Sequence, residues 1–310
     1  MSTQRIIVVA KRSAYYTQVL VRRDPVFIKL LEDNDPTVSS LLRAHEDHEA
    51  TLEKVLEVVR GLGVEFRVID APWEPFDLRG VNLVVTVGGD GTLLVTSHQL
   101  GPDIPILGIN SSPSTSVGFF CGLGPDDCAA GIPRALAGRL ASIELSRMEV
   151  RIDARVVSRR VLNDALYCHQ SPAATSRYMI EIEGECEDHK SSGFWIGPPA
   201  GSTAAQRSAG GRILPLGSTD LQFVVREPYG YTGPMRLARV LVHDGARLTV
   251  HSKMTDGKLF LDGPHTVHDV GFGVRVSFRR SHEPLHVLGL TRRQRRRRRA
   301  APSVESGVAT

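Results

Sequence analysis

Four short apolar runs punctuate the first 110 residues: Ile6–Val9, Val64–Ile69, Leu83–Val87 and Ile104–Ile109. Each is rich in β-branched residues and lacks an alternating polar face, the pattern of a strand buried on both sides. Between the first two, apolar residues recur at helical spacing over 37–60 (Val38, Leu41, Leu42, Leu52, Val55, Leu56, Val59), and charges fill the gaps. Gly61 and Gly63 end that helix. A second helix begins within Leu93–Leu100. Strands alternating with helices predict an open parallel sheet with helices on both faces, so residues 1–140 read as an α/β domain.

The pattern changes after residue 140. Ser142–Leu145, Glu149–Val157, Tyr178–Ile182, Leu221–Val225, Arg247–His251, Lys258–Leu261 and Gly273–Phe278 are short strand candidates, several alternating apolar and polar. Turns with Gly, Pro and Asp separate them, which predicts an antiparallel sandwich over 141–284. A last apolar stretch covers 285–290, and the small, polar 300–310 reads as a disordered tail.

Charge modifies this picture little. The net charge of +4 is smaller than the contribution of the seven arginines among Arg292–Arg299, so the rest of the chain is slightly acidic. That balance predicts no nucleic-acid partner. The arginine run reads as a solubilising end, with polyphosphate or an acidic surface as the other reading. Cys121, Cys128, Cys168 and Cys186 form no CxxC pair and read as reduced thiols in a mostly buried setting. The five apolar residues Ile6–Ala10 are too few for a signal-peptide core, and no run approaches a membrane span. The expected location is the cytoplasm.

The chemistry concentrates in three places. Gly88-Gly89-Asp90-Gly91-Thr92 follows a predicted parallel strand, at the sheet edge where open α/β folds bind ligands. Its glycines allow close backbone approach, and the following helix N-terminus suits a phosphate. A carboxylate would repel that phosphate unless it has a chemical role. Two roles fit Asp90, which accepts a proton from an attacking hydroxyl or holds a divalent metal. The turn is neither GxGxxG nor GxxxxGK[ST], which argues against a dehydrogenase of the common type and a P-loop NTPase. Second, Gly197 to Gly211 is dominated by small residues and hydroxyls, a segment that opens backbone to a ligand or is a plain loop. Third, Asn163-Asp164 offers an amide and a carboxylate that can grip a diol, although such a pair is more often a turn. His45-Glu46-Asp47-His48 has the wrong spacing for HExxH and reads as a solvated helix face.

In this order the three features resemble the NAD kinase family, from about residue 80 to 290. The shared marks are Gly88 to Thr92, Gly108-Ile109-Asn110, Asn163-Asp164, Gly201-Ser202-Thr203-Ala204 and Ser208-Ala209-Gly210-Gly211, with Asp262-Gly263 resembling a later turn. The GGDGT turn alone is shared with diacylglycerol and sphingosine kinases and in part with phosphofructokinases. The resemblance implies an α/β domain followed by a β domain, with the chain returning to the first domain over 285–299. It implies transfer of the γ-phosphoryl of ATP, or of polyphosphate, to the 2′-hydroxyl of the adenosine ribose of NAD. It makes Asp90 the catalytic carboxylate and Gly88, Gly89, Gly91, Thr92 and Asn110 the phosphate and nucleotide side. Phe119, Asn163, Asp164, Thr203, Ala204 and Ser208 fall on the NAD side. It implies Mg²⁺ carried on the substrate phosphates, with protein ligands unassigned, and a homodimer or homotetramer.

Three departures stand out. Ala205 occupies a position where the family usually has tyrosine, and Ser192-Gly193 one where it has Asp-Gly. The loop Ser111 to Gly118 is longer than the common bacterial form and resembles the branch that includes mitochondrial NAD kinases. The first two remove an aromatic face and a carboxylate near the expected nicotinamide end, which bears on NAD against NADH. The competing readings are a lipid or small-alcohol kinase sharing GGDGT, and a dinucleotide-binding regulator without catalysis.

Overall fold

The computed structural model describes residues 4–229 and 235–290. The arginine run, the expected tail and the 291–299 part of the returning segment lie outside the described residues.

The N-terminal part is built from β1 (Arg5–Ala10), α1 (Pro25–Glu32), α2 (Leu41–Gly61), β2 (Glu65–Ile69), β3 (Leu83–Gly88), α3 (Asp90–Ser97), β4 (Ile106–Asn110), β5 (Cys121–Leu123), α4 (Cys128–Leu136) and β6 (Ser142–Leu145). The strands form a sheet of order β2-β1-β3-β4, parallel throughout, with β5 also parallel to β4. The apolar runs explain why: Ile6 and Val8 pack with Val55 and Val59 of α2 and Ile132 of α4, while Ile7 and Val9 pack on the other face with Leu93 of α3. A strand covered on both sides leaves few positions for a polar residue, here Thr86 and the terminal Asn110.

The remainder is β7 (Met148–Ile152), β8 (Arg155–Val161), β9 (Ala165–His169), β10 (Ser176–Ile182), β11 (Glu185–Ser191), β12 (Phe194–Gly197), the single-turn α5 (Ala205–Ser208), β13 (Leu221–Val225), β14 (Arg239–Val242), β15 (Leu248–Ser252), β16 (Gly257–Leu261), β17 (Thr266–Val270) and β18 (Arg275–Arg280). They form two six-stranded antiparallel sheets, β11-β10-β15-β18-β7-β8 and β14-β13-β12-β9-β16-β17. One core joins the two: Tyr178 and Phe278 from the first sheet meet Tyr167 and Phe194 from the second, with ring centroids 5.1–6.0 Å apart.

Finally β19 (Leu285–Leu288) re-enters the first sheet, parallel to β4 and antiparallel to β6. Ser142–Leu145, expected in the second unit, therefore closes the first sheet, because its apolar Ile143 and Leu145 join that sheet's core. The predicted helix over 37–60 is a short 3₁₀ turn at Pro36–Val38 followed by α2. The expected strand Glu149–Val157 is the β7–β8 hairpin, turned at Asp153 with φ +51°. α3 starts three residues earlier than the apolar pattern suggests, so Asp90 stands in its first turn.

Candidate functional site

The GGDGT turn is the junction of β3 and α3, and Gly88 sits in register with Asn110 at the end of β4. Gly88 has φ +153°, and a β-carbon there would collide with Thr92 Oγ1. A β-carbon on Gly89 would come 2.6 Å from Ser116 Oγ. Gly88 is demanded by its backbone conformation and by close approach, Gly89 meets only a serine hydroxyl that can rotate away, and Gly91 faces open space. Thr92 is buried beneath the turn. Asp90 Oδ1 accepts a 2.6 Å hydrogen bond from the Phe120 backbone N–H, which fixes the carboxylate against the loop that follows β4.

That loop is held from two sides. The buried Asn110 donates through Nδ2 to Ser116 O at 2.9 Å and accepts through Oδ1 from Ser112 N–H at 3.3 Å. Its amide is engaged in shaping residues 111–116, so Asn110 supports the turn rather than lining the cleft. From α2, Asp47 Oδ2 accepts from Ser112 Oγ at 3.0 Å and Ser114 Oγ at 3.2 Å, His48 Nδ1 lies 3.0 Å from Ser111 Oγ, and Thr51 donates to Ser111 O. The expected solvated face at 45–48 is thus corrected. His48 is buried, and burial holds its pKa below the ordinary histidine value.

The Asn163-Asp164 turn is built around one carboxylate. Asp262, itself at φ +50°, accepts from the backbone N–H groups of Leu162 (2.7 Å), Asn163 (2.7 Å) and Asp164 (3.0 Å), and its Oδ2 lies 2.8 Å from His98 Nε2. Asn163 Nδ2 donates to Asp164 Oδ2 at 3.1 Å. Burial, and then the negative charge of Asp262, push the Asp164 carboxyl up to about 7. The 197–211 segment lies directly on this turn: Gln206 Nε2 reaches Asn163 O at 3.4 Å, and Gly201 has no room for a side chain against the same carbonyl.

These pieces enclose a cleft of about 410 Å³. Asp90, Gly91, Phe119, Asn163, Thr203 and Ala204 line it, bringing six of the expected site residues together across the two domains. Gly88, Gly89, Thr92, Asn110 and Asp164 stand behind this surface as supports. Ser208 is apart: it lines a neighbouring hollow of about 460 Å³ with Trp195, Ala205, Ala209, Arg226 and Glu227. Arg207 also lines the main cleft, a cation within reach of any phosphate there, and sequence reasoning assigned it no role. Its signal was being a charged residue in a segment otherwise made of small residues. Asp262 and His98 were missed as supports because each acts through residues distant in sequence.

The first two departures map near the second hollow. Ala205 lines it, and Ser192 donates its N–H to Arg226 O at 3.1 Å. The Arg226 guanidinium lies 5.8 Å from the Trp195 ring centroid, so an indole and a cation occupy this corner. Among the described residues no three His, Cys, Asp or Glu side chains gather as a metal-binding group. The single carboxylate Asp90 in the main cleft fits an ion carried on phosphate oxygens, the way Mg²⁺ binds in phosphoryl-transfer sites. A helix N-terminus, an open glycine, a fixed carboxylate and a cation around one cleft are the parts needed to transfer a phosphoryl group to an alcohol.

Comparison with known proteins agrees with this chemistry. The family model for the ATP-NAD kinase N-terminal domain matches residues 11–140. A probable NADH kinase from Oryza sativa subsp. japonica is 30% identical over 248 residues, covering 73% of this chain and 76% of the relative. An NAD kinase from Methanoregula boonei is 30% identical over 213 residues, covering 68% and 75%. Among solved structures, an NAD kinase from Archaeoglobus fulgidus in complex with ATP superimposes with a TM-score of 0.69 at 19% identity, covering 94% of this chain and 96% of the other. Among the described residues no helix is long and apolar enough to cross a membrane.

Proposed function

Because this chain belongs to the NAD kinase family, we propose that it transfers the γ-phosphoryl of ATP to the 2′-hydroxyl of the adenosine ribose of NAD or NADH. The observation that carries the reading is the meeting of Asp90 and Asn163, from two different domains, in one cleft. Asp90 accepts the proton of the attacking hydroxyl, a contribution of about 10²–10⁴ in rate. Its hydrogen bond from Phe120 N–H keeps the carboxylate oriented. Asn163 and the turn built on Asp262 hold the ribose, with Asp164 acting as the support beneath Asn163. Gly91 and the α3 N-terminus receive the phosphates, and Arg207 neutralises charge that develops during transfer. Mg²⁺ held on the phosphates supplies further charge neutralisation. Phe119, Thr203 and Ala204 form the wall against the adenosine.

The second hollow supports a reading of the acceptor's oxidation state. Ser192 stands in place of a carboxylate, and Arg226 adds a cation beside Trp195. An oxidised nicotinamide ring is cationic and gains nothing there, while the reduced ring is neutral. NADH is therefore the proposed acceptor, used at least as well as NAD, in keeping with the name of the rice relative. A homodimer or homotetramer is part of the same reading.

The test is purified protein with Mg²⁺, NADH or NAD, and either ATP or polyphosphate, with NADP and NADPH separated and quantified by chromatography. No phosphorylated dinucleotide from any pairing would sink the reading. Product made faster from NAD than from NADH would overturn the acceptor preference alone. Light scattering on the same sample checks the oligomer.

A further inference from the structure

α3 carries Asp90 in its first turn, and its eight residues span about 12 Å. The carbonyls at the far end of such a helix lack partners within it and must be satisfied from outside. Here the N–H groups of His98, Gln99 and Leu100 close the last turn onto Val95 O, Thr96 O and Ser97 O, and the carbonyls from Ser97 to Leu100, at and just past the helix end, are held from outside the α/β domain. Arg147, fully buried, donates through Nη1 to Ser97 O at 2.9 Å and Leu100 O at 3.0 Å. Its remaining nitrogens bind Glu283 O and Pro284 O. Arg160 of β8 donates through Nη1 to His98 O at 3.1 Å and Gln99 O at 2.8 Å, and through Nε to Glu283 Oε2 at 2.7 Å. Four successive carbonyls, Ser97 through Leu100, are thus held by two guanidinium groups from outside the α/β domain. The side chain of His98 adds a fifth link, to Asp262.

These contacts close a path. Asp90 and Asn163 line the same cleft. Asp90 leads through α3 to His98, His98 to Asp262, and Asp262 to the backbone of Asn163. Domain interfaces within a chain move by default unless something fixes them. Transfer between a turn on one domain and a ribose held by the other depends on their spacing, and a shift of about 1 Å costs on the order of 10²-fold in rate. A cap that served only the helix end would not need both arginines and the imidazole to come from, or reach to, the other domain.

Building on the function proposed above, we propose that α3 is the strut by which the β domain sets the position of Asp90, with Arg160 and His98 as positioning residues. Neither side chain lines the cleft. The strut therefore governs turnover rather than dinucleotide affinity, because Asp262 keeps its three backbone donors when His98 is removed.

The experiment uses the full chain and the variants Arg160→Met, Arg160→Lys, His98→Ala and His98→Gln. Turnover, the calorimetric Kd for NADH and amide exchange over 88–93 are read together. His98→Ala and Arg160→Met are expected to lower kcat by about tenfold or more while Kd stays within about threefold. His98→Gln, which keeps a donor toward Asp262, restores most of the rate. Arg160→Lys falls between, since one ammonium does not reproduce a fork that reaches two carbonyls. Exchange over 88–93 speeds up in His98→Ala and Arg160→Met although the substitutions lie at the other end of the helix. Turnover within twofold of the parent, or faster exchange confined to 97–100, would overturn the strut. If the parent itself makes no phosphorylated dinucleotide, the function above fails, and the exchange pattern alone decides the strut.

Discussion

Gly201→Ala strains the cleft without adding or removing a polar group. A β-carbon at 201 would stand 2.5 Å from the carbonyl carbon of Asn163 and closer still to its oxygen. Carbon atoms in contact rest about 3.5–4.0 Å apart, and the approach to the oxygen, at 1.6 Å, is tighter still, so one backbone must retreat by at least about 1 Å. Neither yields easily: Asn163 is tied to Asp262 by its own N–H, and Gly201 is a buried residue of the 3₁₀ turn Pro199–Thr203. Overpacking against rigid backbone costs about 1–3 kcal/mol or more. The smaller entropy of the unfolded alanine chain returns only about 0.4–1 kcal/mol. A net loss of about 2 kcal/mol is expected in urea unfolding. Gly217→Ala, where nothing lies within 4 Å, is the control and should remain within about 1 kcal/mol of the parent. A shift of about 1 Å at Asn163 also predicts a fall in kcat/KM for the dinucleotide on the order of 10²-fold. Parent-like stability together with parent-like kcat/KM in Gly201→Ala would refute the claim that this glycine is required by contact with the ribose turn.

Asp90→Asn should fold normally, since its amide oxygen can still accept from Phe120 N–H, and should lower kcat by about 10²–10⁴; turnover near that of the parent removes Asp90 from the mechanism. Asp164 carries a pH signature. Its folded pKa of about 7 lies above the unfolded value near 3.8, so the native state binds the extra proton, and stability declines as pH rises from about 4 to about 7. In melting curves between pH 4 and 8, Asp164→Asn should remove that decline, worth on the order of 4 kcal/mol; an unchanged slope disproves the assignment. Ser192→Asp returns a carboxylate beside Arg226 and should raise the NAD-to-NADH ratio of kcat/KM by about fivefold, roughly 1 kcal/mol of screened attraction for the cationic ring. No change in that ratio would show that the second hollow does not receive the nicotinamide.

The fold was legible wherever burial is two-sided or strictly alternating. β1, β3 and β4 announce themselves because both faces are covered, and β10 because every second residue is buried. β11 was not legible: Glu185–Ser191 is mostly charged, an edge strand that buries only His189 and Ser191. α1 and α4 were also missed. α1 buries no side chain, and α4 is a short helix containing Pro133. Only tertiary structure assigns β6 to the first sheet, since its partner β19 lies about 140 residues later in sequence. The thiols divide likewise: Cys121 and Cys128 are buried as expected, and Cys186 is exposed on that edge strand.

For the site, the sequence alone placed a carboxylate in a glycine turn at a strand end and an amide-carboxylate pair farther on, because local spacing sets those, and it left their roles open until the resemblance to the NAD kinase family joined them. It also marked Asp90, Asn163 and Thr203 as members of one constellation. The tertiary structure decided which residues line the cleft and which hold those that do. Asn110 turned inward to shape a loop, Asp164 went under its neighbour, Ser208 went to another hollow, and Arg207 entered the cleft. The supports His98, Asp262, Arg147 and Arg160 lie tens of residues from what they hold. Their donors and acceptors are matched only after the two domains pack, and no local pattern in a chain encodes a partner found at that distance.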